Sequence, residues 1–254
     1  MQKIGKCKLC HAVRPLLNES HIIPEFMYSG LFNEHHKINK LAPSQYVKGN
    51  RRVMRPSSGE YEDGLLCQEC DNERIGGLEA YAHAAMFGGK LSASEAPKAQ
   101  TYKTQEGVKF TRVSNISYTK FKLFLLSILW RASISKRDFF KEVKLGPHEN
   151  VIREMILSGD PMRYDDYPVI FFTSLTDKSA PRDIVGQPGK NRAGKGIRYV
   201  FIIAGITYVF HVSKNSIDPS FLPYTLLPSN EITIFHIPDG KSWGLIQTYF
   251  GMNK

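Results

Sequence analysis

Apolar residues recur at helical spacing in two stretches of the chain and crowd into β-branched and aromatic runs in a third. In residues 71–87, Ile75, Leu78, Ala82 and Met86 fall three or four apart, which predicts a helix. Gly88 and Gly89 follow, as glycines do past a helix C-terminus. Residues 118–158 also read as helical. Phe121, Phe124, Leu125, Ile128 and Leu129 make one apolar stripe, with Lys120, Lys122 and Arg131 at its margins. Ser135 or Asp138 is placed to cap a further helix. Beyond these, PVIFFTSL, RYVFIIAGITYVFHV, EITIFHI and GLIQTYF read as strands, and Gly205 inside the second predicts a bulge or a tight hairpin.

The segments between are polar. Residues 41–64, with Pro43, Gly49, Pro56 and Gly59, read as a long loop or a weak hairpin. Residues 90–115 read as a linker carrying short strands such as VKFTRV. Residues 186–198 (GQPGKNRAGKGIR) hold four Gly and four basic residues without an acid. They lack the spacing and terminal Ser/Thr of a P-loop, so a mobile loop is expected rather than a phosphate cradle. No internal repeat or low-complexity tract interrupts the pattern.

Composition narrows the class. With 42% hydrophobic, 23% charged and 11% aromatic residues over 254 positions, wholesale disorder is excluded. Four cysteines are too few for a disulfide scaffold of this length. No run reaches the roughly 18 apolar residues of a membrane span. The start, MQKIGKCKLCHAV, lacks the apolar core of a signal peptide. A soluble, cytoplasmic protein without a membrane partner is therefore expected. The net charge of +10 is uneven: residues 103–144 hold 10 basic residues against Glu106, Asp138 and Glu142. Such an excess suits a phosphate backbone or an acidic surface, and a merely solvated basic face has the same composition.

Every cysteine lies in one of two C-x2-C pairs, Cys7/Cys10 and Cys67/Cys70. A pair of such knuckles supplies four thiolates to one tetrahedral ion, and structural zinc is the expected occupant. A redox pair, an iron–sulfur cluster or four unrelated thiols are the rivals, although nothing around Cys7 has the strand–helix setting of a redox pair. The plain reading is a staple between residues 7–10 and the helix that follows Cys70.

Between the knuckles lies Asn18-Glu19-Ser20-His21-Ile22-Ile23-Pro24. A C-x2-C, a His followed by an apolar pair and Pro, and an apolar pair (Leu65, Leu66) before a second C-x2-C at a helix start together resemble the HNH endonucleases. The resemblance covers roughly residues 7–83 and implies a ββα-metal fold with a four-cysteine zinc knuckle. It also implies hydrolysis of DNA phosphodiester bonds with a catalytic Mg²⁺ or Mn²⁺. Carried over, His21 falls on the general base and Asp71 on a catalytic metal-ligand position, while Arg74 falls where a Lys often sits. Two positions depart from the pattern: Ser20 replaces the first metal ligand and Glu62 replaces an Asn that orients the base. The site is then either rebuilt around Asp71, Glu79 or Glu62, or inactive. A hard cation needs carboxylate oxygens, and Glu79 lies two turns after Asp71, within about 80° of the same helix face.

Outside that frame His21 would read as a core or capping histidine. His83, four residues after Glu79, can join a metal site or sit on the surface; His11, His35 and His36 offer less, and His148, His211 and His236 have no assigned role. Arg131, Lys136 and Arg137 are candidate DNA-backbone contacts, or the solvated edge of a core helix. The expected architecture is α+β: a zinc-stapled HNH-like nuclease domain over 1–90, a linker over 91–117, and a helical plus β-rich accessory domain over 118–254. The expected function is a metal-dependent DNA endonuclease, with bacterial defence or restriction as its setting and a protein partner for the C-terminal region. The alternative is a non-catalytic zinc-containing nucleic-acid-binding or interaction module.

Overall fold

The most buried element of the computed structural model is α2 (Tyr118–Ile134), which Ser117 caps by accepting the Lys120 amide at 3.4 Å. From Phe121 to Ser133 every side chain is buried, including Lys122, Ser127 and Arg131. The stripe-and-margin reading is corrected for Lys122 and Arg131: from Phe121 to Ser133 α2 is covered on all sides and these polar side chains bond inward, while Lys120 is exposed as expected. The structure describes residues 3–28, 39–41, 59–178, 180, 184–193, 196–213, 217–242 and 244–245.

Two units divide the chain, each discontinuous in sequence. The first comprises Met1–Phe26, Gly59–Pro97 and Asn115–Arg163, so the cysteine segment and the helices after residue 117 share one unit. Its strands are very short. β1 (Ile4–Lys6) pairs antiparallel with β2 (Val13–Pro15), and β3 (Ser20–His21) pairs antiparallel with β5 (Tyr61–Glu62). Residues 69–87 are helical, as the spacing predicts, but the first part, Glu69–Ile75, is wound as a π-helix before α1 (Gly76–Phe87) takes over. Wide turns of this kind recur where a helix re-aims side chains at a site. The helix stops at Gly88 with φ of 85°. α1 and α3 (His148–Ser158) both pack on α2. Ser135 ends α2 and caps no helix after it, and Asp138 opens a single 3₁₀ turn, Asp138–Phe140.

The second unit comprises Met27–Ser58, Lys98–Ser114 and Tyr164–Lys254. Among the described residues it is one nine-stranded sheet. The strands are β4 (Asn39–Leu41), β6 (Lys98–Lys103), β7 (Lys109–Ser114), β8 (Val169–Thr173), β9 (Ile184–Gly186), β10 (Gly189–Ala193), β11 (Gly196–Ile203), β12 (Ile206–Val212) and β13 (Ile232–His236). Their order is β4-β9-β11-β12-β8-β13-β7-β6, with β10 also on β11; β4–β9 and β13–β8 are parallel and the remaining pairs antiparallel. Phe171, Tyr199, Phe201, Tyr208 and Phe210 form its buried centre.

Gly205 marks a tight hairpin, as expected. Ile203 pairs with Ile206 across a two-residue turn in which Ala204 and Gly205 have φ of 53° and 77°. A turn with both residues left-handed matches the twist of paired strands. VKFTRV falls in β7, a strand as expected, whereas the basic segment around Lys190 and Arg192, expected as a mobile loop, is β10, hydrogen-bonded to β11. Part of that segment, 194–195, lies outside the described residues, as do residues 42–58 of the expected loop together with His35 and His36. Among the described residues no helix is long and apolar enough to cross a membrane.

Candidate metal centre and the polar cluster beside it

The four sulfurs come together because backbone bonds stitch the two knuckles edge to edge. Lys8 N donates to Leu65 O and Leu17 N to Leu66 O, both at 2.9 Å, and Cys67 N donates to Cys7 Sγ at 3.4 Å. The sulfurs of Cys7, Cys10, Cys67 and Cys70 all lie within 4.8 Å of one another, with Cys10 and Cys67 at 4.0 Å. A tetrahedral Zn–S₄ site with bonds near 2.3 Å has sulfurs about 3.8 Å apart. The cluster therefore fits a metal ion such as zinc. Burial pushes the Cys7 and Cys70 thiols up; for Cys10 burial is outweighed by bonds from the Ala12 amide and the neighbouring sulfurs, which bring it below its usual value. A cation would replace those thiol protons and relieve the crowding of four sulfurs. From α3, Arg153 Nη1 reaches Leu9 O at 2.6 Å, tying the first knuckle to the helices.

Directly after the second knuckle the chain builds a polar cluster. β3 brings Ser20 and His21, the π-helical segment brings Asp71, and α1 brings Glu79. Arg131 of α2 joins them. It is 1% exposed and donates from Nη1 to His21 O at 2.6 Å, and from Nε to Ser127 O at 3.2 Å. Its Nη2 lies 2.7 Å from Glu79 Oε1 and 3.3 Å from Ser127 Oγ. Arg131 thus cross-links the strand that carries His21 to the helix that carries Glu79. It is not on a surface, so its expected place as a DNA-backbone contact is corrected: every bond it makes is internal.

Three buried oxygens of this cluster complete no hydrogen bond among the described residues: Ser20 Oγ, Asp71 Oδ1 and Glu79 Oε1. The last is ion-paired to Arg131 but out of alignment for a hydrogen bond. Ser20 is 0% exposed. Burial raises the Asp71 carboxyl above its ordinary value; Arg131 opposes this, Glu79 adds to it, and Ser20 and His21 oppose it more weakly. Two carboxyl groups share the one Arg131 guanidinium. A buried oxygen short of hydrogen bonds is costly, about 1–3 kcal/mol; with Glu79 already paired to Arg131, Ser20 Oγ and Asp71 Oδ1 mark a spot suited to a ligand with positive charge or hydrogen-bond donors. His21 is half-buried, with its ring 6.2 Å from that of Tyr61.

The other expected site residues are placed elsewhere. Glu62 faces Ser20 in register across β3–β5, yet its carboxylate accepts from Ser135 Oγ at 2.6 Å and from Lys136 N at 2.9 Å. It holds the end of α2 and does not orient His21. Arg137 is 42% exposed, binds Glu60 Oε2 at 2.6 Å and Tyr61 O at 2.8 Å, and lies over the Tyr61 ring. Arg74 is exposed and donates to Leu157 O at 2.5 Å. Lys136 has an exposed side chain. His83 packs on Phe26 and Phe87, with ring centroids at 5.2 and 5.9 Å. Among the described residues the cysteines are the one group of three or more His, Cys, Asp or Glu side chains close enough to hold an ion, so Asp71 and Glu79 form no second group of three.

Two residues of the cluster escape a reading by motif. Ser127, one turn before Arg131, gives the guanidinium two of its acceptors, and Tyr61 lies against His21. The Ser-to-Arg spacing of four residues inside an apolar helix is the available signal. The chain matches no known protein-family model, no curated protein and no solved structure.

Proposed function

We propose that the chain is a metal-dependent HNH-type endonuclease that hydrolyses DNA phosphodiester bonds, in a setting of bacterial defence or restriction. The observation that carries this reading is the gathering of three buried oxygens, from Ser20, Asp71 and Glu79, beside His21 and directly after a four-cysteine cluster. An antiparallel strand pair followed by a helix, with a histidine on the strand and an acid on the helix, supports the ββα-metal arrangement. In this reading the cysteines hold zinc as a staple. His21 accepts the proton of the attacking water at a free ring nitrogen. Arg131 fixes His21 through its main-chain carbonyl and holds Glu79 in an ion pair. Asp71, with Glu79 as second carboxylate, would hold Mg²⁺ or Mn²⁺, whose charge offsets that developing on the phosphate.

One observation favours the second reading, a zinc-stapled nucleic-acid-binding or interaction module without hydrolytic activity. Glu62 and Glu79 are both engaged by the protein itself, at Ser135 and Arg131. Cleavage of supercoiled plasmid under increasing Mg²⁺ or Mn²⁺ separates the two. The nuclease reading expects Asp71→Asn to shift the cation requirement upward by about tenfold or more, because loss of a ligand costs at least what loss of its supporting contacts does. Wild-type protein that is folded, zinc-loaded and inert toward DNA would leave the binding module.

A further inference from the structure

Four neighbouring strands of the second unit place one aromatic residue each in the same lateral row. Tyr102 of β6 pairs with Phe110 of β7, Phe110 with Phe235 of β13, and Phe235 with Phe172 of β8. The rings follow the register, with successive centroids 5.3, 6.4 and 5.8 Å apart. Tyr224 adds a fifth ring 5.2 Å from Phe235. These side chains are not core. Tyr102 and Tyr224 are 38% and 42% exposed, and Phe110, Phe172 and Phe235 are partly exposed. An aromatic row left open to solvent costs hydrophobic free energy unless something covers it.

Charge says what covers it. The β6–β7 strands carry Lys98, Lys103, Lys109 and Arg112 and no acid, and by strand alternation Lys98 and Arg112 share the face of Tyr102 and Phe110 while Lys103 and Lys109 lie on the other; the one acidic residue of the hairpin, Glu106, lies in the turn. Arg112 lies over the Tyr102 ring at 5.8 Å, adding a flat cationic plane to the row. Flat π-faces flanked by cations fit unpaired bases on a phosphate chain. Every base has a face to stack, and a row of strands about 4.8 Å apart takes two or three bases. A duplex hides those faces, and an aliphatic protein partner would need neither the ring stacking nor the cations.

We infer that the row Tyr102–Phe110–Phe235–Phe172, edged on its own face by Arg112 and Lys98, is a docking platform for single-stranded DNA. The choice of DNA over RNA rests on the nuclease reading; the platform itself does not. The test is fluorescence anisotropy of the full chain with labelled oligothymidylate, without added Mg²⁺ or Mn²⁺. The comparison probes are a duplex and an oligouridylate of equal length. Binding to oligothymidylate is expected to exceed binding to duplex. Tyr102→Ala, on an edge strand exposed along its whole length, should weaken it about 5- to 100-fold, while Tyr102→Phe keeps it. Arg112→Gln should flatten the dependence on salt by about one phosphate contact.

Unchanged affinity in Tyr102→Ala, or a preference for duplex, would overturn the platform. Tighter binding to oligouridylate would overturn DNA as its occupant. His21→Ala should bind as wild type does, so loss of cleavage and loss of this binding are separate failures.

Discussion

Stripping the ion from the cysteine cluster is expected to unfold the segments that carry β1, β2, β3 and β5. Those strands are two or three residues long, far below what an isolated hairpin needs to persist in water. A few backbone bonds between the knuckles and the Arg131 bond to His21 O hold them, and the sulfurs of Cys7, Cys10, Cys67 and Cys70 converge where an ion would lock them together. Zinc binding to finger peptides contributes about 10–16 kcal/mol, and where no site exists in the unfolded chain that binding energy is folding energy. Metal analysis should find about one ion per chain. A strong chelator should then abolish protection of the backbone amides around Leu16, Ile22 and Leu66 in hydrogen exchange, and Cys67→Ser should do the same without chelator. Full protection in metal-free protein would remove the staple.

The second large effect belongs to Arg131. Arg131→Met removes the partner of Glu79, the donor to His21 O and the main opponent of Asp71's upward shift. Breaking a buried pair from one side leaves an uncompensated charge and costs about 3–5 kcal/mol. Glu79→Gln should cost less, because Arg131 keeps Asp71 as a neighbouring acid and Ser127 O, Ser127 Oγ and His21 O as acceptors. Arg131→Lys should behave more like Met than like Arg, since one ammonium cannot span three acceptors set in a fork. Urea unfolding of the three variants checks the order. A loss below about 1 kcal/mol in Arg131→Met would contradict the cross-link.

The cysteine cluster was legible because ligand spacing is a local rule: C-x2-C folds back on itself wherever it occurs. The helix over 71–87 was legible for the same reason, but its π-helical start was not, since apolar spacing cannot register a locally wider turn. Arg131 misled because a charged residue beside an apolar stripe normally snorkels to water; here α2 is covered on every side from Phe121 to Ser133 and the charge is met by Glu79. Residues 98–103 carried no strand signal because β6 is exposed on both faces and has no alternation to show. β10 was hidden likewise: Lys190, Asn191 and Arg192 are held by backbone pairing with Tyr199, Arg198 and Ile197, which their side chains do not reveal. Glu62 shows the remaining gap: strand register predicts that it faces Ser20 and cannot tell that its carboxylate turns to Ser135.

The most direct test of the central claim is plasmid cleavage by His21→Ala beside wild type, at equal metal content and equal fold. Removing the proton acceptor while leaving Arg131 bonded to the main-chain carbonyl of residue 21 should take away the chemistry alone. The expected result is a fall in rate of about 10²- to 10⁴-fold, typical for a general base, with zinc content and unfolding midpoint unchanged. Cleavage by His21→Ala at the wild-type rate, in protein free of contaminating nuclease, would contradict it.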